Sequence, residues 1–287
     1  MRYRVSHRTA YEYSEPVQLS HHAAHLRPRP VNNQVLGEYS LAVGPDPEVI
    51  RHDRVDYFGN PVTFFTIQTA HGRLDVESVF EVEVTPQAAL PHLDSSAWDQ
   101  LSRMQAPPGE QVSDFRYPSP QVPYLAEAVN YATPVFTPGR PLVEAVLDLT
   151  ARIHADFTFD PSATSVGTPL QAVFHERRGV CQDFAHLAIA CLRAKGLAAR
   201  YVSGYIRTIA PAGQEKLEGA DASHAWLSVH VPGWGWLDVD PTNNVVAGTD
   251  HVTVAWGRDY DDVSPLRGVV LGGGDHAAHV AVDVVEI

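Results

Sequence analysis

The chain has 287 residues, 44% of them hydrophobic and 19% charged, enough apolar mass for one large domain or two modest ones with a real core. A formal net charge of −13 argues against nucleic acid or an anionic membrane as a main partner. No run approaches membrane-spanning length and Met1-Arg2-Tyr3-Arg4-Val5 lacks an apolar leader core, so a cytoplasmic protein is expected.

Residues 2–13 alternate, with Tyr3, Val5, His7, Thr9, Tyr11 and Tyr13 on one face, which is a strand pattern. His21, His22 and His25 raise a metal reading, but Pro28 and Pro30 break any helix and no carboxylate or cysteine lies close in sequence. A structural or surface role is the better reading, and no metal site is expected. Val55–Phe58, Gly59-Asn60 and Val62–Ile67 read as a hairpin. Leu74, Val76, Ser78, Phe80, Val82 and Val84 alternate with acidic residues in the clearest strand of all. Residues 1–86 are therefore expected to be an N-terminal β-rich, sandwich-like domain.

Prolines interrupt residues 87–124, which read as a linker laid over the surface, with a short helix around 97–104. A catalytic core is expected over 125–250, with 251–287 as a C-terminal extension ending in a strand. Leu142, Val146, Leu149 and Ile153 form one helical stripe over 141–155, and a short helix is expected around 170–175. Gly179-Val180-Cys181 then opens an amphipathic run to Lys195, stopped by Gly196. A cysteine at a helix start meets unpaired backbone N–H groups and the positive end of the dipole, an environment that favours the reactive thiolate. Cys191, roughly 15 Å along the same helix by axial rise, is too far to bridge and reads as core.

The period then changes to 2. Ala199–Ile206 reads as a strand, 207–222 as a polar loop, His224–Val231 as a strand, Pro232–Gly235 as a turn, and Trp236–Asp240 as the returning strand. Gly272–Gly274 lacks the spacing of a phosphate loop and reads as a flexible turn before a last strand.

A cysteine nucleophile needs a base, and the base needs a third group to fix its tautomer. Cys181, His224 and Asp240 supply those parts from three elements. For His224 and Asp240 to share a sheet face, the turn between their strands must be odd in length or carry a bulge. Asp238, of the same parity, is the reserve partner. Asp183 is first a dipole-compensating residue and second a candidate for substrate contact. Trp226 is a candidate to line a substrate channel. His186 is expected to point away from Cys181.

Gly179–His186, Ala199–Tyr205, Asp221–Trp226 and Asp240–Asn243 resemble the motifs of bacterial transglutaminase-like proteins, members of the papain-like cysteine superfamily. The opening stretch Tyr3–Pro30 resembles the β domain that often precedes their core. The resemblance implies an α+β fold, with a central cysteine-bearing helix packed on an antiparallel sheet. It implies Cys181 as nucleophile, His224 as general base and acid, and Asp240 as orienting group. The activity it implies is acyl transfer from a protein or peptide amide, through a thioester, to an amine. A cysteine peptidase or amidase with water as acceptor is the alternative, and a non-catalytic scaffold a more distant one. Nothing resembles an EF-hand loop, so neither calcium nor another cofactor is expected.

Overall fold

The computed structural model describes residues 1–87, 96–104, 112–208 and 223–287, with the Asp53 side chain left aside. Alternating buried and exposed residues make β1 (Arg2–Ala24) a 23-residue strand through the middle of an N-terminal sheet. β2 (Gln34–Gly44), β3 (Val49–Val55), β4 (Pro61–Ile67) and β5 (His71–Val84) complete its main path in the order β2-β5-β1-β4-β3. The register of β1 shifts between Glu12 and Val17 as it leaves the body of β5, and from Ser20 onward it pairs with β4. A β1 this long, changing partners midway, curls one sheet where two stacked sheets were expected.

The described parts of 87–124 are not merely laid over the surface. α1 (Trp98–Leu101) buries Leu101, and a 3-10 turn at Ser113–Arg116 buries Phe115, which packs edge-on against Trp236 at 5.4 Å. α2 (Ala126–Ala132) and α3 (Leu142–Asp156) follow, then β6 (Thr158–Phe159), α4 (Leu170–Glu176) and β7 (Arg178–Gly179). α5 (Cys181–Ala194) is the central helix: every residue from Asp183 to Arg193 is buried. A helix covered all round must lie inside the core, and each fully buried Leu or Ile on it contributes about 1.5–3 kcal/mol. The buried Arg193 guanidinium donates to the carbonyls of Phe115, Ala199 and Arg258 and to Ser119 Oγ, so its charge is fully hydrogen-bonded.

One flank of α5 is covered by α2, α3 and α4, the other by an antiparallel sheet. That sheet comprises β8 (Ala199–Ile206), β9 (Ser223–Val231), β10 (Gly235–Asp240), β11 (Val245–Val246) and β12 (His251–Gly257), in the order β11-β10-β9-β8-β12. Ala225, Leu227, Val229, Leu237 and Val239 join the core that surrounds α5. The expected polar loop at 207–222 lies mostly outside the described residues.

Residues 251–287 are not an appendage. β12 completes the core sheet, α6 (Tyr260–Val263) turns the chain, and β13 (Leu266–Gly272) and β14 (His276–Glu286) return to pair with β1. Gly272–Gly274 is the turn between those last two strands.

The outer edge of β12 would expose unpaired backbone groups, and two amides from the N-terminal sheet cover it. Gln34 donates to the Thr253 carbonyl at 2.8 Å and accepts from Thr253 N–H at 2.9 Å. Asn60 does the same for Trp256, at 2.8 and 3.0 Å. The guanidinium carbons of Arg29 and Arg200 lie 3.0 and 3.5 Å from the centroid of the Trp256 ring, a cation–π arrangement that binds sheet to core. His7 Nδ1 meets Tyr205 Oη at 2.8 Å across the same boundary.

Candidate active site

The start of α5 is fixed by its own sequence. Asp183 Oδ2 accepts from Val180 N–H at 2.8 Å and from Thr164 Oγ1 at 2.6 Å. A β-carbon on Gly179 would come within 2.6 Å of that carboxylate oxygen, so glycine is what lets the chain enter the helix there. Asp183 is 3% exposed. Its carboxylate holds the helix start and keeps almost no exposed surface to offer a substrate, the second role expected of it. Cys181 is the first residue of α5 and is partly exposed.

Between β9 and β10 the loop is Pro232–Trp234, three residues, because Val231 pairs with Gly235. The odd count continues the register so that Asp240 falls on the face of His224. His224 Nε2 lies 2.7 Å from Asp240 Oδ2. The Cys181 sulfur lies close enough to His224 to act on its charge. Asp238 is occupied elsewhere, accepting from Ser228 Oγ and, at 3.2 Å, from Gln87 Nε2. Cys181, His224 and Asp240 are thus brought together and the reserve residue is not.

Asp240 has no exposed surface. Its Oδ1 accepts from Thr242 N–H at 2.9 Å and Asn243 N–H at 3.2 Å, and its Oδ2 accepts from Asn243 Nδ2 at 2.6 Å. Burial alone would raise its pKa, but these bonds and those from two histidines outweigh it and hold the carboxyl well below the usual range. Burial would likewise lower the pKa of His224. The hydrogen bonds and negative charge of Asp240 and Cys181 overcome that and lift it to about 10. The geometry therefore favours an imidazolium between a carboxylate and a sulfur.

Trp226 has no exposed surface, so the channel-lining role expected of it is not what the structure shows. Its indole packs edge-on against His251 at 5.1 Å and lies 6.0 Å from the His224 ring. It walls the histidines in. His186 turns away from Cys181 and accepts from Tyr260 N–H at 3.2 Å. Cys191 is fully buried, its thiol pushed up to about 12 by burial.

Sequence reasoning missed two residues here. Asn243 was seen only as part of a motif. His251, whose Nε2 lies 3.1 Å from Asp240 Oδ2, belongs to a stretch expected to be peripheral. Among the described residues, one group has metal-ligating side chains close enough to raise the question of an ion: His224, Asp240 and His251, with ligand atoms within 4.8 Å of one another. Around a tetrahedral zinc with bonds of 2.0–2.1 Å, ligand atoms sit about 3.3 Å apart. The 2.7 Å separation of His224 and Asp240 is a hydrogen-bond distance and too short for that. His21, His22 and His25 form no cluster: they turn to Thr66, Phe65 and Asp56 respectively.

A cysteine at the start of a buried helix, facing a histidine and a carboxylate on an antiparallel sheet, defines the transglutaminase-like class of α+β proteins. Comparison with known proteins agrees. The bacterial transglutaminase-like N-terminal region matches residues 3–83, and the transglutaminase-like superfamily matches residues 129–241. An uncharacterized protein of Mycobacterium tuberculosis is 40% identical over 99% of this chain and 92% of its own length. One from Mycobacterium leprae is 31% identical over 100% and 99%. The protein-glutamine gamma-glutamyltransferase of Pseudomonas aeruginosa is 31% identical over 52% of this chain and 23% of its own length. A solved structure from Cytophaga hutchinsonii, described as a candidate cysteine protease, superposes with a TM-score of 0.76 at 20% identity, covering 100% of this chain and 91% of that one. The chain belongs to the bacterial transglutaminase-like family.

Proposed function

We propose that the protein is a cysteine acyltransferase that takes an acyl group from a glutamine-type or peptide amide and passes it to an amine. The observation that carries this reading is His224 held at 2.7 Å by the buried Asp240, with the Cys181 sulfur near enough to act on its charge. The Cys181 thiolate attacks the amide carbonyl. The backbone N–H of Cys181, which as the first residue of α5 lacks an intrahelical acceptor, donates to the developing oxyanion. His224, held as imidazolium by Asp240, gives its proton to the departing amine and leaves an acyl-thioester. His224, now neutral, accepts a proton from the incoming amine as that amine displaces the thiol, which regenerates the ion pair.

The glutamine gamma-glutamyltransferase name of the Pseudomonas relative supports an amine as acceptor. The cysteine protease description of the Cytophaga structure favours the second reading, in which water resolves the same thioester. Incubating the protein with a glutamine-rich protein such as casein and a fluorescent primary amine separates the two. Fluorescence incorporated into casein by the wild type and not by Cys181→Ala is the expected result. Release of ammonia or peptide fragments with no incorporation at any amine concentration would establish the hydrolase instead.

A further inference from the structure

Asp240 serves two histidines at once. His251 opens β12, is 6% exposed, and directs Nε2 to Asp240 Oδ2 at 3.1 Å. Its other nitrogen, Nδ1, accepts from the backbone N–H of Gly248 at 3.3 Å. A ring that accepts at Nδ1 carries its proton on Nε2, so the backbone selects the neutral tautomer that donates to Asp240. Edge-on packing of Trp226 keeps the ring in that plane, 6.1 Å from the ring of His224.

We propose that His251 is a positioning residue that, by donating its Nε2–H to Asp240 Oδ2, limits how tightly Asp240 holds the proton of His224. The proposal rests on the role given to His224 above. The physical reason is competition: a carboxylate oxygen that accepts from more donors is a weaker base toward each of them. With His251 in place, His224 is still charged, yet it gives up its proton to a leaving amine more readily than it would beside an unshared carboxylate. The charged and titratable groups facing His251 are Asp240 and Asp238 from β10 and His224 from β9. Gly248 N–H is aimed at Nδ1 of His251, so Nε2 is the nitrogen that donates to the shared carboxylate. Asp240 stays in place without His251, because Thr242 N–H and both nitrogens of Asn243 also hold it. Loss of His251 therefore acts on charge more than on position.

The test is nitrogen-detected NMR of the full chain with labelled histidine, titrated between pH 5 and 10, alongside two variants. In the wild type, neutral His251 is expected to carry its proton on Nε2 and to accept at Nδ1, while His224 titrates at the alkaline end. A proton on Nδ1 of His251 at neutral pH would overturn the proposal. His251→Gln keeps an amide that can donate to Asp240 and accept from Gly248; His251→Phe can do neither. The titration of His224, and the alkaline limb of amine incorporation, should move up by roughly half a unit to one unit in the Phe variant and stay put in the Gln variant. Equal shifts in both variants, or none in either when melting curves show both folded, would also overturn it. Because NMR reads His224 without substrate, a protein that incorporates no amine would defeat the proposed activity and still leave the role of His251 to be judged.

Discussion

Gly204 faces the indole of Trp226 so closely that a β-carbon at 204 would lie 2.6 Å from Trp226 Cη2, and nearer still to the Val252 carbonyl oxygen. Gly204 pairs with His224 across β8 and β9, and Trp226 walls both site histidines. Gly204→Ala should therefore destabilise the protein by about 1–3 kcal/mol, the usual cost of overpacking, and lower activity more than a lesion of equal cost elsewhere. Thermal unfolding and amine incorporation on the same preparations check this. Unchanged activity at a reduced melting temperature would separate Trp226 from the site.

Asp240→Asn keeps the shape of the side chain but removes the charge that favours the His224 imidazolium. By analogy with the effect of removing such a charge in other triads, the rate should fall by about 10³–10⁴-fold. The alkaline limb of the pH profile should also move down. A fall in rate with an unmoved limb would mean that Asp240 orients His224 without supporting its charge.

The ionisable groups set opposing pH dependences. The pKa of His224 is raised from 6.5 to about 10, so its contribution to stability is complete below 6.5 and is lost as pH rises through about 10. The pKa of Asp240 is depressed, so its contribution is present above the ordinary carboxyl range and is lost as pH falls through its lowered value. Burial lowers His7 and His22 to about 4 and His186 to about 3. Between 6.5 and about 4 the unfolded chain binds protons that the native chain refuses, so stability should fall as pH falls through that window. Melting temperature measured from pH 4 to 10 should peak near neutrality. His7→Gln, which cannot be protonated, should flatten the acid side.

Asn60→Ala should cost about 1–3 kcal/mol, because it strands the Trp256 backbone groups at the covered edge of β12 and removes an acceptor from the Arg29 guanidinium. Since β12 carries His251, a partial loss of activity should accompany the loss of stability. Denaturant unfolding with a shifted midpoint and an unchanged slope is the expected signature.

Asp183→Ala removes the acceptor at the start of α5 and should cost about 0.5–2 kcal/mol. A rate loss beyond that expected from stability alone, measured well below the melting transition, would show that the carboxylate also fixes Cys181 in line with His224.

What could be read from the sequence was local. The α5 helix begins at Cys181 because Gly179 and Asp183 make a helix start there, and its apolar residues recur at helical spacing. β8 spans Ala199–Ile206, the bounds read from the sequence. The shared face of His224 and Asp240 requires an odd loop, and the loop has three residues. Parity along two adjacent strands is a property of the chain itself. The choice of partner for a distant strand is not, since it depends on which edge is open once the rest has folded. Tertiary structure alone decided that β13 and β14 return to β1, that Gln34 and Asn60 cover β12, and that Trp226 faces inward. It also decided that His251 reaches Asp240. That contact joins β12 to β10 although β8 and β9 lie between them in the sheet, and no periodicity within residues 251–257 encodes it.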